Sequence, residues 1–269
     1  MHFAFRDQGP VTTLLCPALE RYDFIHHAFC TRHTGVSDFP FSSLNISLHV
    51  GDDEEKVLHN RDLIADAFQM NAQRFLIIDQ VHGDKILVLD EPLGSHAPYE
   101  SAAFDAMVTD QPDLALSIKT ADCVPILLLD KTQRVIGAVH AGWQGTTLKI
   151  AAKTVDILVK QFNSKPEDIL AVIGPAIGPC CYEVDTRVYN AMAHDEKQKH
   201  LFGRSTKNPG KWMFDLPLAN KLHILSMGIP EENIFTSDLC TACQTDMFFS
   251  HRGERGQTGR QLNFIMLKK

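Results

Sequence analysis

Two short apolar runs joined by a polar turn constrain this chain more than any other stretch. Thr120-Ala121-Asp122-Cys123-Val124-Pro125 leads into Ile126-Leu127-Leu128-Leu129, and Asp130-Lys131-Thr132-Gln133 separates that run from residues 134–140. An apolar run so short, bounded by polar residues, cannot make a surface helix and reads as a buried strand. The segment beyond the turn reads as its antiparallel partner. Such a hairpin puts Cys123, which enters the first strand, and His140, which ends the second, at one end of a sheet. A thiolate and an imidazole placed together need one more ligand to form an open zinc site, with a fourth position left for water or substrate. His82, in Asp79-Gln80-Val81-His82-Gly83, is the candidate third ligand, because it too follows a strand-like run, residues 75–78. Asp122 is a candidate for orienting one ligand from behind.

The composition narrows the setting. A chain of 269 residues, 44% apolar and 22% charged, has the make-up of a soluble globular protein with ample material for a core. A formal charge of −7 with no basic run argues against nucleic acid as a partner. Residues 1–20 lack the pattern of a signal peptide, and no apolar run approaches the roughly 20 residues of a membrane helix. Seven cysteines, an odd and scattered set, fit a reducing cytosol better than a disulfide framework. The expected protein is cytoplasmic, takes a small-molecule substrate, and is a monomer or weak homo-oligomer.

Residues 23–31 read as a strand entering the polar turn Arg32-His33-Thr34-Gly35-Val36-Ser37. An arginine at such a strand end either grips a carboxylate or phosphate or sits solvated. Residues 43–48 alternate polar and apolar, as a half-buried strand or an ordered loop does. Asp52-Asp53-Glu54-Glu55 opens a helix with its acids at the positive end of the dipole, and Val57, Ile64, Ala65 and Phe68 form its apolar face. Residues 75–78 and 86–89 read as a second hairpin about His82-Gly83-Asp84, residues 91–103 as irregular, and 105–109 and 114–118 as two further strands. Apolar residues from Leu148 to Phe162 recur at helical steps, giving an amphipathic helix capped by Thr146 or Thr147. Residues 169–173 form a buried strand, 186–194 and 216–227 helices, and 234–235, 247–249 and 261–267 strands. Strands outnumber helices and come largely in hairpins, so the expected class is α+β.

Cys240-Thr241-Ala242-Cys243 has the spacing of half a zinc finger, but a finger needs a second closely spaced pair. Cys180-Cys181 are adjacent, a poor chelating pair, so these four cysteines read as structural. Residues 251–260 form a glycine-punctuated basic turn, open to two readings: an anion site made of arginines and backbone N–H groups, or a flexible hairpin loop.

Gln80-Val81-His82-Gly83, Thr120-Ala121-Asp122-Cys123-Val124-Pro125, His140-Ala141-Gly142-Trp143, Gly174-Pro175-Ala176-Ile177-Gly178-Pro179 and Thr258-Gly259-Arg260 resemble, in this order, the signature blocks of the YfiH/YlmD family. That family is variously labelled polyphenol oxidase, laccase-domain protein, purine nucleoside phosphorylase and peptidoglycan editing factor. Thr31-Arg32 with Gly35-Val36-Ser37, and Ser43-Leu44-Asn45 with His49-Val50-Gly51-Asp52, extend the resemblance over nearly the whole chain. It implies one YfiH-like domain over residues 1–269, a four-layer α-β-β-α sandwich of the cysteine-hydrolase-like kind. It also implies a metal, usually zinc, on His82, Cys123 and His140. Gln144 stands where the family often has Arg, which weakens position 144 as a phosphate holder, and Thr34-Gly35 where it often has two glycines.

Four readings follow from the resemblance and the residues together. The first is phosphorolysis of adenosine, inosine and methylthioadenosine, with adenosine deamination by zinc-activated water at the same site. Arg32 or Arg260 would then hold phosphate and Asn45 would hydrogen-bond substrate. The second is copper-dependent oxidation of phenols, since two His and one Cys also suit copper, although the chain has no His-x-His pair. The third makes Cys123 a nucleophile, with His82 or His140 as base, cleaving an amide in a misassembled UDP-MurNAc-amino-acid precursor of peptidoglycan. In the fourth, zinc only clamps an interaction protein; an open three-ligand set disfavours it, because structural zinc takes four protein ligands.

Overall fold

Strands β8 (Val124–Asp130) and β9 (Val135–Ala141) form the expected hairpin, and every residue in both is buried. Their register sets Val124 opposite Ala141 and Pro125 opposite His140, which brings Cys123 and His140 to one end. The computed structural model describes residues 3–90, 103–193 and 196–269. Most of the stretch expected to be irregular, 91–103, lies outside the described residues, as does 194 at the end of an expected helix.

The hairpin sits inside a mixed six-stranded sheet with the order β14-β10-β8-β9-β6-β5. Its other members are β5 (Ile86–Leu89), β6 (Ala106–Thr109), β10 (Ile169–Ile173) and β14 (Ile234–Thr236). A second six-stranded sheet has the order β1-β2-β3-β15-β7-β4. It is made of β1 (Ala4–Gln8), β2 (Val11–Leu15), β3 (Ile25–Cys30), β4 (Phe75–Ile77), β7 (Ala115–Thr120) and β15 (Gln261–Leu267). A small third sheet joins β11 (Glu183–Val184), β12 (Phe202–Arg204) and β13 (Trp212–Phe214). With five α-helices among the described residues, the fold is the mixed, strand-rich one expected.

Leu14, Ile118 and Ile265 of one large sheet share an apolar cluster with Leu127, Leu129 and Ile136 of the other. Alternation along a strand then sends the neighbouring residues to the opposite faces. There Phe75 and Phe264 meet Ile64 and Phe68 of helix α1 (Glu54–Ala67) and its end. On the other sheet, Ile126, Leu128 and Val139 meet Val155 and Leu158 of one helix and Ala219 and Ile224 of another. Asp53 caps α1 by accepting the amides of Glu55 and Lys56, which fits the acidic start of that helix.

Several local expectations are corrected. Residues 75–78 and 86–89 are not a hairpin: β4 lies parallel to β7 in one sheet and β5 parallel to β6 in the other, so the His82 loop crosses between sheets. Residues 247–249 are not a strand, since apolarity there reports burial; Phe248 and Phe249 are fully buried on an irregular backbone tied to Gln261 through the Phe249 amide. Of the two readings of residues 43–48, the ordered loop is the one observed. The helix expected over Leu148 to Phe162 is present as α3 (Ile150–Gln161), and a separate short helix α2 (Trp143–Thr147), not expected, precedes it across Lys149 at φ 60°. Neither threonine caps α3: Thr146 is buried against Asn220, and the Thr147 hydroxyl donates back to the Trp143 carbonyl. The later helices are α4 (Thr186–Met192) and α5 (Leu216–Leu225). No helix among the described residues is long and apolar enough to cross a membrane.

Buried His27 on β3 ties a strand to a turn, its Nε2 accepting the Cys16 amide at 3.0 Å. Burial, helped by the charge of His26, pulls its pKa from 6.5 down to about 3. The folded chain therefore keeps it neutral while the unfolded chain protonates it near the ordinary value, so its contribution is fully present at neutral pH and lost as pH falls below 6.5. Denaturant unfolding from pH 7.5 to 5 should show a loss of about 2 kcal/mol from this residue alone, missing from His27→Gln.

Candidate metal centre

The three donors come from three different places in the chain. His82 lies in the loop between β4 and β5, Cys123 immediately precedes β8, and His140 is near the end of β9. Their ligand atoms all lie within 4.8 Å of one another. Cys123 Sγ is 3.7 Å from His82 Nε2, and the two imidazole rings meet edge-on with centroids 4.8 Å apart. Tetrahedral zinc with Zn–S near 2.3 Å and Zn–N near 2.05 Å places sulfur and nitrogen about 3.6 Å apart, so this donor set fits such an ion.

Asp105 arranges the set. It is fully buried one residue before β6, and the pairing of Ala106 with Val139 brings it alongside His140. Its Oδ1 accepts from His140 Nδ1 at 2.8 Å and from the His82 amide at 2.9 Å, while Oδ2 accepts the Gly83 amide at 2.6 Å. A carboxylate can only accept, so His140 donates from Nδ1 and leaves Nε2 as its free donor atom. The two amide bonds also hold His82 at φ 60°, a left-handed conformation that a histidine adopts only when its surroundings impose it. Gly142 leaves the necessary space: a Cβ there would lie 2.8 Å from His82 Cδ2 and 3.2 Å from Cys123 Sγ.

Burial would raise the Cys123 thiol, but the charge and hydrogen bond of His140, with those of His82, outweigh it and bring its pKa down to about 6. Burial likewise lowers His140, yet the Cys123 thiolate and the Asp105 carboxylate lift it to about 9. For Asp105, burial raises the carboxyl, and the His140 contact with the two amides more than reverses that. The metal-free cluster is thus a thiolate and an imidazolium at neutral pH, a charge pattern in which a cation readily replaces a proton.

The donors line a cavity of about 420 Å³, within the span of about 300–1,000 Å³ of small-ligand sites. Arg260 lines it too, with Nη1 donating to the Thr258 and Gly259 carbonyls. Arg252, His251 and Tyr182 were not singled out from the sequence, yet they line the same cavity. The only signal for Arg252 and His251 was the glycine-punctuated basic turn.

Two expected substrate contacts lie elsewhere. Arg32 is not among the cavity residues: Nε donates to the Ser42 carbonyl, and Nη1 to the Thr245 carbonyl and Glu254, over the Phe249 ring. Its guanidinium ties loops together. Asn45 is fully buried with its amide saturated, Nδ2 donating to the Ser47 carbonyl and Asp52, and Oδ1 accepting the Ser47 and Arg260 amides. It positions Arg260 and has nothing left for a substrate. Asp122 does not orient a ligand either; it accepts from Thr241, Ser250 and the Arg252 amide, and so gathers loops. Asp105 takes the part expected of Asp122, and the sequence signalled it only through a strand pairing that is not local.

Asp105→Asn replaces an acceptor-only group by an amide that cannot satisfy all three N–H groups. Competition titration against a chelator should show zinc affinity at this site falling about 10- to 100-fold.

Comparison with known proteins identifies the family. Residues 26–268 match the family described as multi-copper polyphenol oxidoreductase laccase. Purine nucleoside phosphorylase YlmD of Geobacillus stearothermophilus is 39% identical over 239 residues, 87% of each chain. Purine nucleoside phosphorylase YfiH of Escherichia coli K12 is 34% identical over 238 residues, 88% of this chain and 91% of that one. Among solved structures, YlmD from Geobacillus stearothermophilus superposes with a TM-score of 0.90 at 36% identity, covering 98% of this chain and 99% of that one. The Bacillus licheniformis hypothetical protein YfiH gives the same TM-score of 0.90 at 38% identity, again covering 98% and 99%. The chain belongs to the multi-copper polyphenol oxidoreductase laccase family, in the company of the YfiH and YlmD proteins.

Proposed function

We propose that this chain is a zinc-dependent purine nucleoside phosphorylase, acting on adenosine, inosine and methylthioadenosine, and that the same site deaminates adenosine. The observation that carries the reading is the open set of His82, Cys123 and His140 in a cavity that also holds arginines. The names of the YlmD and YfiH relatives support it. When bound by these three residues, zinc supplies Lewis-acid charge at an open position. Asp105 keeps the His140 proton on Nδ1 and so keeps Nε2 facing the cluster. Arg260 and Arg252 supply positive charge for phosphate, and Asn45 fixes the Arg260 backbone. In phosphorolysis a phosphate oxygen bonds to C1′ of the ribose, the glycosidic C–N bond breaks, and the purine leaves with a proton. The products are the free base and ribose 1-phosphate.

One observation favours a second reading. Cys123, His140 and Asp105 stand in the sequence of contacts of a nucleophile, a base and an orienting acid, as a thiol hydrolase requires. Such an enzyme would cleave the amide of a misincorporated UDP-MurNAc-amino-acid precursor. Metal and substrate compete for the same sulfur, so metal content separates the two readings. Copper oxidation of phenols is separated in the same way, because it requires copper, not zinc, in freshly purified protein.

With phosphate, adenosine should yield adenine and ribose 1-phosphate; without phosphate it should yield only inosine. Cys123→Ser should lose zinc from this site and both activities, and turnover that persists in metal-free wild-type protein would transfer the case to the thiol reading. Arg260→Ala should raise KM for phosphate by about tenfold or more while leaving deamination nearly intact, the loss expected of one charge-assisted contact.

A further inference from the structure

Four cysteines outside the cavity gather, although only the 240–243 pair has chelating spacing along the chain. Cys180, Cys181, Cys240 and Cys243 have all their sulfurs within 4.8 Å of one another. Cys243 Sγ is 3.5 Å from Cys180 Sγ and 3.3 Å from Cys181 Sγ. Each pair sits on its own tight turn. In the first, the Cys181 and Tyr182 amides both donate to the Gly178 carbonyl. In the second, the Cys243 and Gln244 amides both donate to the Cys240 carbonyl. The turns are locked face to face by an isolated parallel bridge between Ala176 and Cys240, with Ala176 N donating to the Leu239 carbonyl and Thr241 N to the Ala176 carbonyl. The adjacent pair was expected to chelate poorly on its own; in the fold each of its sulfurs reaches across to the opposite turn.

Four neutral thiols have little reason to meet here. Cysteine favours the interior, yet Cys180 and Cys243 are exposed and Cys181 and Cys240 only half-buried. Thiols are weak donors and weak acceptors, and four thiolates without a cation would repel. A tetrahedral ion with metal–sulfur bonds of about 2.3 Å sets sulfurs about 3.8 Å apart, close to the spacings found. The Gly178 amide already donates to Cys240 Sγ at 3.3 Å, the contact that stabilises a metal-bound thiolate. Arg252 places its guanidinium beside this turn, with Nη1 donating to the Glu183 carbonyl at 2.8 Å and the Cys181 carbonyl at 3.5 Å, which offsets part of the negative charge of such a centre.

We propose that Cys180, Cys181, Cys240 and Cys243 form a second metal site, a closed four-sulfur structural zinc centre that clamps one wall of the cavity. Both turns lean on the residue before Cys123: the Ile177 amide donates to the Asp122 carbonyl, and the Thr241 hydroxyl to the Asp122 carboxylate. The same wall carries Tyr182 and Arg252 into the cavity. The closed centre does no chemistry; it binds by exchanging thiol protons for zinc and fixes two loops that are far apart in the chain.

The test uses full-length protein purified under reducing conditions. Wild type should carry about two zinc ions per chain by elemental analysis. Cys123→Ser should keep about one, with an X-ray absorption shell of sulfur alone at about 2.3 Å. The double variant Cys240→Ser, Cys243→Ser should keep the other, with a mixed nitrogen and sulfur shell. Should the double variant not fold, alkylation mapping on wild type decides: zinc should shield Cys180, Cys181, Cys240 and Cys243, and a chelator should expose them together. The proposal is overturned if Cys123→Ser holds no zinc, if it holds iron with visible absorption, if the four cysteines are paired as disulfides, or if their alkylation ignores zinc. A protein that binds zinc on these cysteines but converts no nucleoside would sink the phosphorylase reading and leave this one standing.

Discussion

A single buried carboxylate holds both histidines of the cluster at once. Asp105 accepts from the His140 ring, the His82 amide and the Gly83 amide, and so joins a strand end to a loop that passes between the two large sheets. The His140 ring bond is buried and the two amide bonds partly so, and a buried donor left without an acceptor costs about 1–3 kcal/mol. The carboxylate, in turn, tolerates burial because three donors face it. Shape and charge at the site thus have one origin. The residue that sets the direction of the imidazole also keeps its neighbouring loop in a left-handed turn and stabilises positive charge opposite the Cys123 sulfur.

The cavity above the cluster is built differently, from loops that hold one another. Asn45 links the Ser47 turn to Arg260, Asp122 gathers Thr241, Ser250 and Arg252, and Arg32 ties Ser42 to Thr245 and Glu254. None of these polar side chains needs a ligand to be satisfied. The rim is consequently preorganised, which lowers the ordering cost when a substrate enters.

How much of this was readable in the sequence depends on the reach of each interaction. The β8–β9 hairpin was legible because its two runs and its turn are contiguous; Cys123 and His140 were legible as its two flanks, and His82 because it follows a strand-like run and precedes Gly83. Asp105 was not, since its role follows from the pairing of β6 with β9 across intervening strands. Arg32 and Asn45 were expected to face substrate because polar residues in loops look unpartnered in a sequence; Arg32 finds Glu254 222 positions away. That the four cysteines meet was not foreseen, for a related reason. Chelating spacing was sought along the chain, whereas two turns met in space. Residues 75–78 and 86–89 were joined as a hairpin because nearness in sequence usually means pairing, a tendency that fails when each strand has a better neighbour in another sheet.

Strand β15 occupies the middle of its sheet, between β3 and β7, although it comes after every other strand in the chain. During synthesis the two halves of that sheet have no common neighbour until residues 261–267 leave the ribosome. The nascent chain must wait with β3 and β7 each showing an open edge, the state in which strands of separate molecules find one another. The sheet is thus closed by the latest-made of its six strands, and the open edges of β3 and β7 are what that strand covers.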